Sequence, residues 1–389
     1  MTNIIAQKYP KPFAKAEYDR RAAEVRAEMR NAGVDVLVIS DFANMYYLSG
    51  QESSAQHDYQ CLVFPLDGEP QLVINEFYQV LYQAQAGITE VCPYNEFDDP
   101  ISVAKTALIK AGGRAKVVGI DHTWPLMIAR LSAVIHEVHP GAEIRQGYGI
   151  VENVRIVKTH EEIELMRRAA AITEVGVIAA AKAIRAGVSD GSIAGAAANA
   201  MFAAGGESAP VGPIVCAGYI GGVPYSNFNG YVLQDGDNIF VEQTGSLFRY
   251  VAPLMRSFSL GEPDAERAQA ARATSNAVDA ILSTARPGVH AQKVAEAALK
   301  ALDEAMAGKL FHHIIGYPVG FAFPPTWVEK LVHKITTHSD PVLREGMTFH
   351  LPMSLRKEGR WAMGLSQTIV IAKDGAETLT TSQAKLVVV

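Results

Sequence analysis

Apolar positions over residues 18–29 recur at helical spacing, and through Gly33 they lead into the unbroken run Val36-Leu37-Val38-Ile39. An amphipathic period followed by a short apolar run predicts a helix and then a strand covered on both faces. Similar runs at 61–64, 72–74 and 117–120 predict further strands, with a helical stretch ahead of the last. Residues 1–152 therefore read as a mixed α/β domain.

The pattern changes at Lys158-Thr159-His160-Glu161-Glu162, where Thr159 followed by Glu162 forms a capping box that opens a helix reaching towards Gly187. Ser189 can cap a second helix, closed by Gly205-Gly206. Strands are then expected at 214–217, 239–244, 247–250 and 255–260, with Asp235-Gly236-Asp237 and Gly245 as turns. Helices over 264–284 and 291–306 follow, separated by Arg286-Pro287-Gly288, and strands return at 347–351 and 368–372. Helix pair, strands, helix pair, strands over residues 153–389 reads as α+β, with the helices on one face of a curved sheet.

A chain of 389 residues that is 49% hydrophobic and 20% charged suits two globular cores. Its net charge of −6 comes from interspersed acids and bases without a basic stripe, which argues against nucleic acid as a partner. No stretch approaches the roughly 20 apolar residues of a membrane span, and the Ala-rich run over 169–183 is interrupted by Glu174 and Lys182. Residues 1–15 carry polar residues and prolines where a signal peptide would have an apolar core. Cys61, Cys92 and Cys216 show no C-x-x-C spacing and read as free thiols of a reducing, cytoplasmic compartment.

The order of these elements resembles the pita-bread family of creatinase, prolidase and the methionine and Xaa-Pro aminopeptidases over nearly the whole chain. Its landmarks are Asn44 to Gly50, Lys158 to Ala170, Asp235-Gly236-Asp237, Gly316 to Gly320 and Glu345-Gly346-Met347. The resemblance implies a pita-bread C-terminal domain behind a smaller creatinase-like α/β domain. The family's peptidases hold two metal ions with Asp, His and Glu ligands. Carried over one at a time, those ligand positions fall on Glu242, Pro253, Tyr317, Pro352 and Ser366, or Gln367 with a shift of one. Proline has no side-chain donor, and tyrosine and serine are unusual ligands for a divalent cluster, so neither metal nor another cofactor is expected.

Val241-Glu242-Gln243-Thr244-Gly245, the segment from Arg249 through Pro253 to Arg256, Gly316-Tyr317, Pro324-Pro325-Thr326-Trp327 and Gly346-Met347-Thr348-Phe349-His350 are similar to the metal-free, ectoine hydrolase-like branch. That branch, like creatinase, cleaves non-peptide C–N bonds at a carbon carrying two nitrogens. Such chemistry needs a carboxylate as nucleophile or as base for water, and a group that protonates the departing nitrogen. Glu242, in an apolar strand, is the expected carboxylate; the competing reading is a strand-end glutamate facing solvent or paired with Arg256.

Tyr225 stands where the family carries a proton-handling histidine and is the second catalytic candidate, although a phenol is a weak base near neutral pH. Tyr317, Phe323 and Trp327 could wall a small cation. His313, His350, Arg256 and Gln367, the last replacing an acid, complete the expected substrate-binding set. By analogy with the family, the polar loop Gln56-His57-Asp58-Tyr59 would close a neighbour's site in a homodimer, placing His57 and Asp58 beside the substrate. The reading is thus a hydrolase of a small amidine-type compound, against which stand a creatinase-like amidinohydrolase, an Xaa-Pro metallopeptidase and a non-catalytic binding homologue.

Overall fold

A computed structural model describes residues 11–52, 55–85, 90–121, 125–329 and 333–389. The chain divides into two compact units, Met1–Arg155 and Ile156–Val389. Of the polar N-terminal stretch considered above, residues 1–10 lie outside the described residues.

In the first unit the elements run α1 (Lys15–Ala32), β1 (Val36–Ile39), α2 (Phe42–Ser49), β2 (Cys61–Pro65), β3 (Gln71–Asn75), α3 (Gln79–Gln85), β4 (Val91–Tyr94), α4 (Pro100–Ala111), β5 (Val117–Ile120), α5 (Pro125–Val138), β6 (Glu143–Gln146) and α6 (Ile150–Arg155). The strands form one sheet in the order β4-β3-β2-β1-β5-β6. β1 pairs parallel with β5 and antiparallel with β2, and its residues are all buried, as its unbroken apolar run requires. The unit ends beyond residue 152 because α6 packs on α1 and Arg155 donates to Asn44 Oδ1 at 2.6 Å. Asn44 in turn donates to Asp121 and Glu152, so this landmark locks the unit's polar interior.

The second unit contains α7 (His160–Ala183), α8 (Asp190–Ala203), β7 (Ile214–Ala217), β8 (Asn238–Gln243), β9 (Ser246–Leu247), β10 (Tyr250–Val251), β11 (Leu254–Ser259), α9 (Ala265–Thr284), α10 (Ala291–Met306), β12 (Tyr317–Pro318), β13 (Thr348–His350), β14 (Met353–Lys357), β15 (Trp361–Leu365), β16 (Thr368–Ala372), β17 (Gly375–Thr378) and β18 (Val387–Val388). Two four-stranded sheets, β18-β11-β8-β7 and β12-β13-β16-β17, each carry a two-stranded ribbon, β9-β10 inserted between β8 and β11 and β14-β15 between β13 and β16. The capping box at Thr159 and the Ser189 cap both form, and Gly205 takes a left-handed φ of 86° just after α8. This is the pita-bread arrangement.

One expected strand, 247–250, is instead a hairpin. Phe248 and Arg249 sit at φ 48° and 65°, the successive positive values of a two-residue turn that folds β10 back on β9.

Candidate functional site

Strand β8 carries the site on one of its two faces. Ile239 and Val241 pack into the core under α7 and α8, whereas Phe240 packs with Cys216, Met255 and Ala362 on the opposite side. Side chains alternate along a strand, so Glu242 shares the face of Phe240. It lies in register between Ile214 of β7 and Met255 of β11. Glu242 is 8% exposed and makes no hydrogen bond or ion pair among the described residues. Burial pushes its carboxyl up to about 7, and the positive charge of Arg356 only partly opposes this.

Arg256 is not the partner of Glu242. It faces Val241 in the β8–β11 register, which puts it on the other side of the sheet. There Nη1 donates to the Met255 and Ser366 carbonyls and Nη2 to the carbonyl and hydroxyl of Ser382. Gln367 belongs to the same structural tie, donating to the Ser382 carbonyl and accepting from Thr380 Oγ1. Arg256 and Gln367, expected to bind substrate, are instead engaged with backbone and hydroxyl groups of the protein, and Arg256 Nη2 and Gln367 both fasten the segment at Ser382.

Near Glu242 a chain of hydrogen bonds converges on Tyr317. Trp327 Nε1 donates to Tyr317 Oη at 2.9 Å, Tyr317 Oη lies 2.7 Å from His350 Nδ1, and His350 Nε2 lies 2.7 Å from Ser366 Oγ. The Met255 amide donates to Ser366 Oγ at 2.6 Å. Burial holds His350 far below the usual histidine range, at about 3, with the His312 and Arg256 charges adding to the effect. The imidazole is therefore neutral, with one nitrogen donating and one accepting.

Fully buried Ser366 has no acceptor for its own proton among the described residues except His350 Nε2. Satisfying that proton fixes the Nδ1–H tautomer, which donates to Tyr317. Tyr317 Oη then accepts twice and keeps its own proton uncommitted. Burial raises its phenol well above the usual range, and the Glu242 charge raises it further, so the hydroxyl stays protonated.

The remaining expected residues are placed as follows. Phe323 is buried with the Arg249 guanidinium 5.0 Å from its ring centroid. His313 is exposed at φ 58° with its ring edge against Phe311. Tyr225 is fully exposed at φ 59° and forms no hydrogen bond among the described residues. Tyr225 thus lies outside the buried hydrogen-bonded chain, yet near enough to Tyr317 to act on its phenol electrostatically. His57 and Asp58 lie on the surface of the first unit, 3.6 Å apart, with Asp58 accepting from Tyr78. The sequence reading missed Arg356, whose guanidinium lies 4.7 Å from the Phe240 ring centroid, and the bond between Ser366 and His350.

The positions matched to family metal ligands do not fit a divalent cluster. Pro253 and Pro352 offer only carbonyls, already taken by Thr368 Oγ1 and His312 Nε2, and Ser366 Oγ is bonded to His350. Among the described residues no group of three or more His, Cys, Asp and Glu side chains is placed to hold a metal ion. No described helix is long and apolar enough to cross a membrane.

Comparison with known proteins agrees with this architecture. The profile of metallopeptidase family M24 matches residues 164–373, and that of the creatinase/prolidase N-terminal domain matches residues 21–157. An ectoine hydrolase from Halomonas elongata is 28% identical, over 95% of this chain and 96% of its own length. An Xaa-Pro dipeptidase from Pyrococcus horikoshii is 23% identical, over 92% of this chain and 96% of its own. The crystal structure of dipeptidase PepE from Mycobacterium ulcerans superposes with a TM-score of 0.83 at 25% identity, covering 97% of this chain and 99% of the other.

Proposed function

From the premise that this chain belongs to metallopeptidase family M24, we propose that it hydrolyses a C–N bond in a small amidine-type compound without a metal ion. An ectoine-like cyclic amidine is the first candidate and a creatine-like guanidino acid the second. The observation that carries this reading is Glu242: a buried carboxylate without a hydrogen-bond or ion-pair partner among the described residues, its carboxyl pushed up to about 7, at a site whose other ligand positions are proline, tyrosine and serine. The similarity to an ectoine hydrolase supports it.

An amidinium brings the positive charge that Glu242 lacks. In the hydrolysis the oxygen of one water bonds to the amidine carbon as Glu242 takes a water proton. The C–N bond then breaks, and both water protons end on the departing nitrogen, so that an amidinium becomes an amide and an ammonium. Tyr317, with its uncommitted proton, is our donor to that nitrogen. We further propose that two copies assemble, with the His57 and Asp58 loop of one closing the site of the other.

The test is incubation of chelator-treated protein with ectoine, hydroxyectoine, creatine and a Gly-Pro dipeptide, followed by mass spectrometry, with Glu242→Gln as control. Ectoine or creatine hydrolysis that survives chelation and vanishes in the variant supports the proposal. Gly-Pro cleavage that requires added Mn²⁺ or Co²⁺ would instead make the protein a metallopeptidase, and intact substrates throughout would point to a binding role.

A further inference from the structure

Arg356 sits on β14 with its backbone fixed on both sides by Leu310, whose carbonyl accepts from the Arg356 amide and whose amide donates to the Arg356 carbonyl. Its guanidinium is fixed as well. Nη1 donates to the Gly221 carbonyl at 2.5 Å, and the group lies over the Phe240 ring, 4.7 Å from the centroid. This accounts for one of its five N–H donors. Nε and Nη2 make no hydrogen bond, and the side chain forms no ion pair, among the described residues. It is only partly buried, so the unused donors can be reached.

Phe240 and Glu242 are two residues apart on β8 and point the same way, which sets their Cα atoms about 7 Å apart. The guanidinium over the Phe240 ring and the carboxylate of Glu242 are consequently neighbours on one face. They feel each other's charge yet form no ion pair among the described residues. Burial weakens the charged form of both, so each gains from a partner of opposite charge. The site thus presents a negative and a positive group on one face of the sheet that act on one another electrostatically without pairing among the described residues. A plain cation would satisfy Glu242 and be repelled by Arg356; a plain anion would do the reverse. A zwitterion satisfies both.

We propose that Arg356 is the carboxylate anchor of the site, so that the substrate is a small zwitterion whose amidinium or guanidinium end meets Glu242 while its carboxylate pairs with Nε and Nη2 of Arg356. This rests on the reading of Glu242 given above and adds a selection rule to it: decarboxylated or amidated analogues bind more weakly even when they carry the scissile carbon. Arg356 is a specificity-determining residue here, acting on binding and not on the reacting bond.

The experiment is isothermal titration of ectoine and creatine, and in parallel of ectoine carboxamide, creatinamide and methylguanidine, into wild-type protein and into Arg356→Gln and Arg356→Lys. Creatine and ectoine serve as binding probes whether or not they are turned over. Wild type should prefer each carboxylate over its amide by about ten- to a hundredfold, the range for hydrogen bonds to a charged group. Arg356→Gln should abolish that preference while amide binding stays unchanged, and Arg356→Lys should restore part of it, because a point charge lacks the planar fork. A melting curve like that of wild type shows that the variants fold.

Four results overturn the anchor. Equal binding of carboxylate and amide by wild type does so while leaving the amidine reading intact. An Arg356→Gln variant that keeps the preference, or that loses both partners equally, removes Arg356 from the binding role. Absence of binding by every probe overturns the anchor and the amidine reading together.

Discussion

Tyr317 and His350 face each other across the β12–β13 pair, the phenol oxygen 2.7 Å from the imidazole Nδ1. Because His350 Nε2 is engaged by Ser366, this contact delivers a proton towards Tyr317 and leaves the phenol proton to be given elsewhere. The tautomer is directly observable: nitrogen-resolved NMR should find His350 protonated on Nδ1 and neutral from pH 5 to pH 8, given a folded value near 3. An Nε2–H signal would remove the basis for Tyr317 as donor.

Tyr317→Phe keeps the ring and removes the hydroxyl. It should lower kcat by about 10²- to 10⁴-fold, as expected for loss of general acid assistance, and leave Trp327 Nε1 and His350 Nδ1 unpaired, at about 1–3 kcal/mol of stability. Ser366→Ala should give a smaller loss in kcat with little change in KM, since it frees the tautomer without removing the donor. Steady-state kinetics and urea denaturation measure both.

The titration of Glu242 sets the pH profile. With the carboxyl at about 7, kcat/KM for a cationic substrate should rise through pH 7 and level off above it. A bound amidinium favours the carboxylate, so the corresponding limb in kcat should lie at lower pH. An acidic limb near pH 4.5 in kcat/KM would contradict the buried, unpartnered state of this residue.

Stability should move the other way. The folded protein holds the Glu242 proton more tightly than the unfolded chain, so the stabilisation is full below pH 4.5 and is lost as pH rises through about 7. The shift corresponds to about 3 kcal/mol. Glu242→Gln, which does not titrate, should be more stable than wild type at pH 8 by up to about that amount, with the gain vanishing near pH 4.5. His350 contributes with opposite sign, its stabilisation falling away as pH drops below its unfolded value of 6.5, and Glu242→Gln leaves that acid-side trend in place. Denaturation series at several pH values separate the two.

Gln367→Ala should cost about 1–3 kcal/mol and leave KM unchanged, because its amide serves Ser382 and Thr380. A large rise in KM without loss of stability would return Gln367 to the substrate.

The elements that were legible have local signals: Thr159 with Glu162, the apolar run of β1, and the strand period around Glu242 all lie within a few residues, whereas the buried ribbon Met353–Lys357 and Trp361–Leu365 and the helices Phe42–Ser49 and Pro125–Val138 were not read. The left-handed pair Phe248 and Arg249 was not legible, since neither residue type announces a turn. The site divided along the same line. Glu242 could be found from its strand, and Tyr317, Trp327 and His350 from the family's order. Arg356 could not, since what defines it is a carbonyl 135 positions away and a ring on another strand. Arg256 misled for the same reason: its acceptor Ser382 lies 126 positions on, and only the register reveals that it faces away from Glu242.

The two-sided character of β8 has an evolutionary consequence. The side that meets α7 and α8 fixes the scaffold, while the side bearing Phe240 and Glu242 meets the β14–β15 ribbon, where Gly364 has no Cβ to collide with the Phe240 ring. Reagents can therefore be exchanged on one side of the strand without disturbing the architecture on the other. A lineage built this way can retire one chemistry and take up another by a handful of substitutions, inheriting its framework intact.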